Sequence, residues 1–274
     1  RRSDEGLAEQ AHGNFRLEIA WTIAPVIILV AIAIPTVDLI YRQSVAPTGR
    51  VDPENPLEIN VIGHQWWWEI DYPGEDVITA NEVNIPVGRA IKVNITSDDV
   101  LHSFWVPKLG GKVDLIPGST NFLWLQADEP GVYLGQCAEF CGEGHAMMRY
   151  RVRARTPADF QAWLESMRRP PEPLDTDDEK AGQLLFAQNC STCHSTQTYQ
   201  TILARSERQT QTARQAAFVA NPEESPIISA PNLTHIATRL TIGAGIIEFN
   251  QENLESWIAD PKNIKRGTRM QPIL

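Results

Sequence analysis

The stretch GQCAEFCGEGHAMMRYRVRA, Gly135 to Ala154, joins a loop rich in soft metal ligands to a strand-like alternation of polar and apolar residues. Two of the four cysteines lie four residues apart in this loop, and a histidine and two methionines follow them. Thiolate, imidazole and thioether together favour copper, whereas zinc sites use thiolate, imidazole and carboxylate. On spacing alone, a disulfide, a zinc site and a catalytic thiol remain alternatives.

Short segments with a similar strand-like pattern occur on the N-terminal side of this stretch. They are LEINVI (Leu57–Ile62) and AIKVNITS (Ala90–Ser97), while NFLWLQ (Asn121–Gln126) is a more continuous apolar run. Turn signals that contain proline and glycine separate these segments, and none of them has the period of a helix. About 100 residues of short strands predict an all-β sandwich, which we place at residues 46–156.

The N-terminal part contains an apolar run, Ile19 to Val37, of 19 residues without a charge. That length is close to the ~20 residues needed to cross a bilayer, so we predict one transmembrane helix over about residues 17–41. A slight excess of arginine before the run places its N-terminal end in the cytoplasm and the rest of the chain outside. Because the chain begins at Arg1 rather than Met, we expect a further segment before this anchor of residues 1–45.

The overall charge limits the kinds of partner that the protein can have. A net charge of −10 and a pI near 5.1 argue against nucleic acid, whose binding sites need basic surfaces. An acidic surface could steer a basic protein partner, or it could simply keep the protein soluble.

After the sandwich the pattern changes from strands to helices. The segment PADFQAWLESMRR, Pro157 to Arg169, places four large apolar residues on one face of a helix. The acidic, proline-rich stretch Pro170–Glu179 follows and predicts a stiff linker. We therefore assign residues 157–178 to a helix and a linker, and residues 179–274 to a third, helical domain.

The third domain carries the other two cysteines in CSTCH, which has the C-x-x-C-H form of covalent c-type haem attachment. Cys190 and Cys193 would bind the haem vinyl groups, and His194 would bind the iron. Redox and zinc sites also use C-x-x-C, but this part of the sequence has no second cysteine pair to complete a zinc site. Met or His is expected opposite His194, and the sequence after it offers Met270 and His235.

The first cysteine pair admits two kinds of copper site. A mononuclear blue-copper site needs one cysteine, two histidines and a weak axial methionine. Two thiolates that bridge two coppers, each with one imidazole, would use both Cys137 and Cys141. Besides His145, a second imidazole is needed, and His102 or His64 could supply it because loops at one end of a sandwich converge. Sharing one electron over two metals suits electron transfer.

These residues resemble the binuclear copper motif of cytochrome c oxidase subunit II. The resemblance includes LEIAWTIAPVIILVAIAIPT as that family's second membrane helix, GHQWWWEI as its tryptophan-rich segment and DVLHSFWVPKLGGKVDLIPG as its histidine loop. It extends from Glu18 to about Ala154, and it implies that the first helix of the family's membrane hairpin precedes this sequence. It implies a cupredoxin-like Greek-key sandwich in an oxidase subunit that holds no oxygen-reducing centre of its own.

The resemblance implies a role for each matching position. The implied copper ligands are His102, Cys137, the backbone carbonyl of Glu139, Cys141, His145 and Met148. The carboxylate of Glu139 would face a magnesium ion at the interface with the catalytic subunit. Trp66 would admit electrons from a cytochrome, and Glu18 would lie at the mouth of a proton pathway unless it is a solvated carboxylate at a helix end. We interpret Met147 and His64 as structural.

The third domain resembles the small, all-α class I cytochromes c. Its segment IKRGTRMQP is similar to that family's methionine loop, apart from Gln271 before the proline, and favours Met270 over His235 as the axial ligand. Its segment APNLTHIATR is similar to the proline segment beside the haem-binding histidine. The polar insertion Thr198–Ser229 departs from the family, and only four residues follow Met270, where the family places a closing helix.

Together these parts resemble subunit II of a caa-type oxidase, with a membrane anchor, a binuclear copper domain and a tethered cytochrome c. The resemblance implies a bacterial inner-membrane protein with both cofactor domains on the periplasmic side. Its partners would be oxidase subunits I and III, and an external donor such as a cytochrome c or a small copper protein. Electrons would pass to the catalytic subunit, which reduces oxygen to water and pumps protons.

Three other functions are alternatives to this one. The equivalent subunit of a copper-A nitric oxide reductase would use the same residues with a different catalytic partner. A free-standing, membrane-anchored electron carrier would have no catalytic partner. A quinol oxidase subunit is disfavoured, because that branch of the family lacks the copper ligands.

Overall fold

The structure of the protein is a computed structural model that describes residues 13–45, 56–196 and 230–273. The chain divides into two compact units, residues 1–45 and residues 46–274, and each is described here by itself. The predicted insertion, Thr198–Ser229, lies outside the described residues.

The described part of the first unit is one helix, α1 (Phe15–Ser44), of 30 residues. Asn14 caps it, because its side chain accepts hydrogen bonds from the amides of Arg16 and Leu17 at 3.1 and 3.3 Å. At about 1.5 Å per residue the helix is long enough to cross a bilayer. Its most apolar window has a mean hydropathy of 2.5, and none of its side chains is buried by protein. The predicted apolar helix is confirmed, and it is a few residues longer at each end.

The sandwich of the second unit consists of two five-stranded sheets. The first sheet has the order β3 (Val77–Ala80), β2 (Trp67–Tyr72), β1 (Leu57–His64), β5 (Ile91–Ser97) and β8 (Asn121–Leu125). The second has the order β4 (Glu82–Pro86), β10 (Arg149–Arg155), β9 (Gly131–Cys137), β6 (His102–Trp105) and β7 (Val113–Leu115). Strand β1 is parallel to β5 and β4 is parallel to β10, whereas the other pairs are antiparallel. The predicted cupredoxin-like sandwich is confirmed.

Alternating side chains explain why these segments form strands around a core. Every second residue of β5, from Ile91 to Ser97, is buried, and β10 follows the same period. The rings of Trp68, Phe104 and Tyr150 meet in the core with centroids 4.5 to 5.8 Å apart. The two sheets therefore bury one shared apolar layer. Because this layer stabilises the sandwich, the loops between the strands can hold polar side chains that bind a metal.

The helix α2 (Pro157–Arg168) packs against β3, β4 and β10. Thr156 caps it by accepting a hydrogen bond from the amide of Asp159 at 3.2 Å. Its buried residues are Phe160, Trp163, Leu164 and Met167, the four predicted to share a face. The amphipathic pattern therefore identified both the helix and the side that packs against the sandwich.

The described part of the third domain contains helices and a short ribbon. The elements are α3 (Asp177–Asn189), β11 (Thr241–Ile242), β12 (Ile247–Glu248), α4 (Gln251–Ala259) and α5 (Pro261–Ile264). The ribbon was not predicted, because it depends on three consecutive residues with positive φ, Gly243 to Gly245, rather than on an apolar period. The described residues do not by themselves establish an all-α class for this domain.

His64 is buried at the end of β1. Its ring stacks on Trp67 with centroids 4.3 Å apart, and its two nitrogens each lie 3.4 Å from a carboxylate, of Glu69 and of Asp98. Burial opposes the charged form, but the two carboxylates outweigh it and raise the pKa of His64 from 6.5 to about 9. These contacts are those of a residue that stabilises the fold.

We expect His64→Gln to remove a contribution to stability that depends on pH. Because the folded-state pKa of His64 is raised, the contribution is fully present below pH 6.5 and is lost as the pH rises through about 9. The substitution should lower the free energy of unfolding at both pH values. The loss should be ~2 kcal/mol larger near pH 6 than near pH 10. Thermal unfolding of the detergent-purified protein measures this, with Lys92→Gln as the control. A deficit that is the same at both pH values would contradict the prediction.

Candidate metal centre

The residues predicted to bind copper come from two neighbouring strands and from the loop between β9 and β10. His102 begins β6 and Cys137 ends β9, and these strands pair with Phe104 opposite Cys137. The chain then passes through Cys141 and a short 3-10 turn, His145–Met147, before it enters β10. Hydrogen bonding within one sheet therefore holds both the remote histidine and the start of the cysteine loop.

Two cysteine sulfurs lie at the centre of this arrangement. The Sγ atoms of Cys137 and Cys141 are 3.8 Å apart and both thiols are free, so they do not form a disulfide. Nδ1 of His102 is 3.8 Å from Sγ of Cys137, and Nδ1 of His145 is 3.7 Å from Sγ of Cys141. Each sulfur thus has one imidazole of its own.

Each sulfur also has a weaker donor beside it. The carbonyl oxygen of Glu139 is 3.2 Å from Sγ of Cys137, and Sδ of Met148 is 3.8 Å from Sγ of Cys141. Met148 is fully buried whereas Met147 is half-buried. The structure therefore brings all six predicted donor groups together, and their chemistry fits a pair of copper ions.

The two thiols influence each other's ionisation. The hydrogen bond from the Cys141 thiol, helped by His102, lowers the pKa of Cys137 well below its usual range. The Cys137 thiolate, together with burial, raises the pKa of Cys141. One negative charge is thus favourable at this site, and a second thiolate needs a cation beside it. Ligand atoms of His102, Cys137 and Cys141 all lie within 4.8 Å of one another, as a metal site requires.

Asp99 holds the other side of the His102 ring. Its Oδ1 is 2.8 Å from Nε2 of His102, and its Oδ2 accepts a hydrogen bond from the amide of Gln65 at 2.6 Å. Burial would raise the pKa of Asp99, but the hydrogen bonds from His102 and from backbone amides lower it. The carboxylate orients the ring so that Nδ1 faces Cys137. Sequence reasoning missed Asp99, although its position three residues before His102 was a usable signal.

We expect Asp99→Ala to weaken copper binding by about 10- to 100-fold, because the imidazole of His102 would lose the partner that orients it. Competition of the purified protein with a copper chelator measures this affinity. Asp114→Ala removes an exposed carboxylate on β7 and is the matched control, with no expected change. Equal copper affinity in Asp99→Ala and the wild type would show that Asp99 does not orient the ligand.

Trp66 lies directly against the cysteine loop. Its indole Nε1 donates a hydrogen bond to the carbonyl of Cys141 at 3.0 Å. Gly144 leaves room for the ring, because a Cβ there would lie 2.5 Å from it. Trp66 is half-buried while Trp67 and Trp68 are buried, so Trp66 is the most accessible of the three. Its role in electron transfer stays a prediction.

Two predicted sites, the magnesium site at Glu139 and the proton-pathway entrance at Glu18, each contain a single carboxylate of this chain. Glu139 is half-buried beside Phe140, which is 75% exposed, and Glu18 is exposed in the first turn of α1. Among the described residues, one site brings three histidine, cysteine or carboxylate ligands close together, and it consists of His102, Cys137 and Cys141. A magnesium ion at Glu139 would therefore need ligands from another chain, and this role stays a prediction.

The C-x-x-C-H segment begins where α3 ends, with Cys190 as the C-cap. Cys190 and Cys193 are free and half-buried. Nδ1 of His194 is 2.8 Å from the carbonyl oxygen of Pro231, which agrees with the position predicted for the proline segment. Burial lowers the pKa of His194 and favours its neutral form, the form that binds metals.

The two candidates for the ligand opposite His194 have different surroundings. His235 is engaged elsewhere, since its Nε2 is 3.1 Å from the carbonyl oxygen of Arg169 at the end of α2. Met270 is half-buried in the extended segment that follows α5. These surroundings are compatible with the choice of Met270, which stays a prediction.

Comparison with known proteins gives a consistent result. Two family models match, "Cytochrome C oxidase subunit II, transmembrane domain" over residues 1–39 and "Cytochrome C oxidase subunit II, periplasmic domain" over residues 75–155. Cytochrome c oxidase subunit 2 of Alkalihalophilus pseudofirmus is 38% identical over 268 residues, which are 97% of this chain and 70% of that protein. Quinol oxidase subunit 2 of Bacillus cereus is 40% identical over 168 residues, 61% of this chain and 57% of that protein.

A solved structure of the periplasmic domain of subunit II of cytochrome oxidase from Bradyrhizobium japonicum is also similar. It is 34% identical and covers 40% of this chain and 92% of its own, with a TM-score of 0.40. The extent and identity of the match to the A. pseudofirmus protein settle the family. This chain belongs to the cytochrome c oxidase subunit II family.

Proposed function

We propose that this chain is subunit II of a caa-type oxidase, in which a C-terminal cytochrome c is tethered to the copper domain. Family membership makes the chain subunit II of a haem-copper terminal oxidase, the subunit at which electrons enter, with subunit I as its partner. The family's periplasmic domain implies binuclear copper A. The observation that carries the electron-entry function is the convergence of six donor groups on two cysteine sulfurs that are 3.8 Å apart.

The protein would hold the copper pair by groups on a rigid frame. The ligands would be His102, Cys137, the carbonyl of Glu139, Cys141, His145 and Met148. Bound copper supplies one-electron transfer chemistry at such a site. Asp99 fixes the ring of His102, and the pairing of β9 with β6 fixes Cys137. A frame that moves little when the charge changes lowers the reorganisation that accompanies electron transfer.

Trp66 would be the residue through which electrons reach this site. Its hydrogen bond to the carbonyl of Cys141 joins the indole to the backbone of a copper ligand. The path from the sandwich surface therefore contains one hydrogen bond and few covalent bonds.

The third domain would hold a covalent haem c. Cys190 and Cys193 would form thioethers, and His194 would bind iron through Nε2 because Nδ1 faces the carbonyl of Pro231. The haem would supply a second centre for one-electron transfer. Met270 would be the opposite axial ligand.

The apolar surface of α3 also supports a haem. Leu184 and Leu185 lie one to two turns before the cysteines, and their side chains are 64% and 61% exposed. A porphyrin bound through the neighbouring thiols would cover such side chains. The match to the A. pseudofirmus oxidase subunit extends over 97% of the chain, whereas the match to the quinol oxidase subunit covers 61%.

The chain is anchored in a membrane by α1 and carries the sandwich outside it. We propose four parts: the anchor at 1–45, the cupredoxin domain at 46–156, a helix and linker at 157–178 and the cytochrome domain at 179–274. We also propose a bacterial inner membrane, a periplasmic orientation and contact with subunit III. Glu139 would contribute to an interface magnesium site, and Glu18 would open a proton pathway that serves oxygen reduction to water.

Affinity purification of the tagged chain from native membranes tests this function. A haem-copper catalytic subunit should copurify, and the complex should consume oxygen when an external cytochrome c or small copper protein supplies electrons. Nitric oxide consumption without oxygen consumption would favour a nitric oxide reductase. A chain that leaves the membrane without a haem-copper partner would favour a free-standing electron carrier.

A further inference from the structure

The carboxylate of Glu82 is buried, and none of the roles above uses it. Glu82 lies in β4 and is 2% exposed. Its Oε1 accepts hydrogen bonds from the amides of Leu240 and Thr241 at 2.6 and 3.0 Å and from the Thr241 hydroxyl at 3.3 Å. Its Oε2 is 3.4 Å from the guanidinium of Arg153. A carboxylate is rarely buried unless it is paired and hydrogen-bonded, and here residues 230–273, the C-terminal segment, supply most of the partners.

Lys265 makes the reciprocal contact from the C-terminal segment. It is 3% exposed, and its Nζ donates hydrogen bonds to the carbonyl of Trp66 at 2.5 Å and to that of Gly243 at 3.1 Å. Trp66 belongs to the sandwich, whereas Gly243 belongs to the turn of the C-terminal ribbon. The single side-chain nitrogen of Lys265 therefore joins the two parts of the chain.

Further hydrogen bonds join β10 to the same ribbon and to the turn that precedes it. The amide of Arg149 donates to the carbonyl of Ala244 at 3.0 Å, and the guanidinium groups of Arg151 and Arg153 donate to the carbonyls of Gly245 and Thr238, each at 3.2 Å. Ala244 also packs with Trp67 and Ala80 in a small buried cluster.

The C-terminal segment also covers the ring of Trp66. A Cβ at Gly267 would lie 2.8 Å from the indole and 3.0 Å from the amide nitrogen of Gly144, so the backbone of the segment rests on the ring. Arg269 donates a hydrogen bond to the side chain of Gln65 at 2.9 Å. A separate donor protein cannot reach this side of Trp66 while the segment is in place.

We propose that the C-terminal segment is a fixed internal partner of the sandwich at Trp66, positioned by Glu82 and Lys265, rather than a mobile tethered domain. The docking rests on the geometry alone. Its consequence rests on the proposed function: an external donor would deliver electrons to the third domain and not directly to Trp66. The effective concentration of a mobile domain at Trp66 depends on the length of its linker, whereas that of a fixed partner does not.

Amide hydrogen exchange of the full-length, detergent-purified protein tests the docking without reference to cofactors. The amides of Leu240 and Thr241 should exchange slowly in the wild type. Glu82→Ala should speed their exchange by at least about tenfold, because both amides lose their acceptor. Lys265→Met should also speed the exchange of these two amides, because it removes the hydrogen bond from the C-terminal segment to the carbonyl of Trp66. This substitution changes no residue of the sandwich. Glu58→Gln breaks an ion pair on the other sheet and is the control, with no expected effect.

The linker provides a second measurement in protein that contains haem and copper. Glycine and serine residues inserted between Glu172 and Pro173 should not change the rate of electron transfer between the two cofactors in the wild type. The same insertion should slow transfer in Glu82→Ala, in which the domain would depend on its tether. A purely structural role for Glu82 would not create this dependence on linker length.

The outcomes separate this proposal from the proposed function. Fast exchange of Leu240 and Thr241 in the wild type, or a wild-type transfer rate that falls as the linker grows, would overturn the docking. A purified chain without covalent haem would overturn the cytochrome function instead. Hydrogen exchange would still decide the docking in that case.

Discussion

Cys141→Ser is expected to abolish the spectroscopic signature of a copper pair. The Sγ of Cys141 lies 3.8 Å from Sγ of Cys137, 3.7 Å from Nδ1 of His145 and 3.8 Å from Sδ of Met148. A serine hydroxyl is a hard, weakly acidic group and cannot replace a bridging thiolate for copper. The variant should bind one copper ion or none. Its EPR hyperfine pattern should be that of one copper nucleus, whereas two equivalent nuclei are expected in the wild type.

The controls for this result come from the chain itself. Cys190→Ser removes a cysteine of the C-x-x-C-H segment and should leave the copper content and the EPR pattern unchanged. Serine is close to cysteine in size, so the circular dichroism of Cys141→Ser should match that of the wild type. A two-nucleus pattern that persists in Cys141→Ser would show that this sulfur does not bridge the metals.

The sandwich could be predicted because its information is local in the sequence. In β5 and β10 each buried residue alternates with a more accessible one, so a short window reveals both the strand and its inner face. The same holds for α2, whose buried side chains recur at helical spacing. The cysteine loop was also readable, because its donor types are chemically selective and lie within one short stretch.

The residues that the sequence could not identify depend on distant contacts. Glu82 resembles any acidic residue next to a strand, and its partners Leu240 and Thr241 are more than 150 positions away along the chain. Asp99 is distinguished from its neighbour Asp98 only by the direction of its side chain, which the turn before β6 determines. Single-sequence patterns contain no information on the contacts of Glu82, and for Asp99 they offer only its position three residues before His102.

The same limit applies to the third domain. Its first helix, α3 (Asp177–Asn189), begins with a capping box between Thr176 and Glu179, which is a signal that the sequence carries locally. In the proposed cytochrome domain a haem would form much of the core, which would account for the exposure of apolar residues such as Leu184 and Leu185. The spacing of apolar residues therefore predicts which side chains are buried less well in the third domain than it does in the sandwich.

The double variant Cys190→Ser with Cys193→Ser is expected to contain no covalently bound haem and to keep its copper pair. Only thiols can form the thioethers to the haem vinyl groups, and both cysteines are free and half-buried beside His194. Denaturing electrophoresis with haem staining measures covalent attachment, and metal analysis of the same sample measures copper. Electron transfer from an external cytochrome c to the oxidase should fall sharply, because the docked C-terminal segment covers Trp66 without offering a haem.

Met270→Ala is the matched control for this double variant, because it alters the proposed iron coordination without touching the attachment site. Its haem should remain covalently bound, while the weak absorption band that reports a methionine–iron bond in the oxidised protein should disappear. Stained haem in the double variant would contradict the attachment site. A methionine–iron band that survives in Met270→Ala would contradict the axial ligand only, since the thioethers formed by Cys190 and Cys193 do not depend on it.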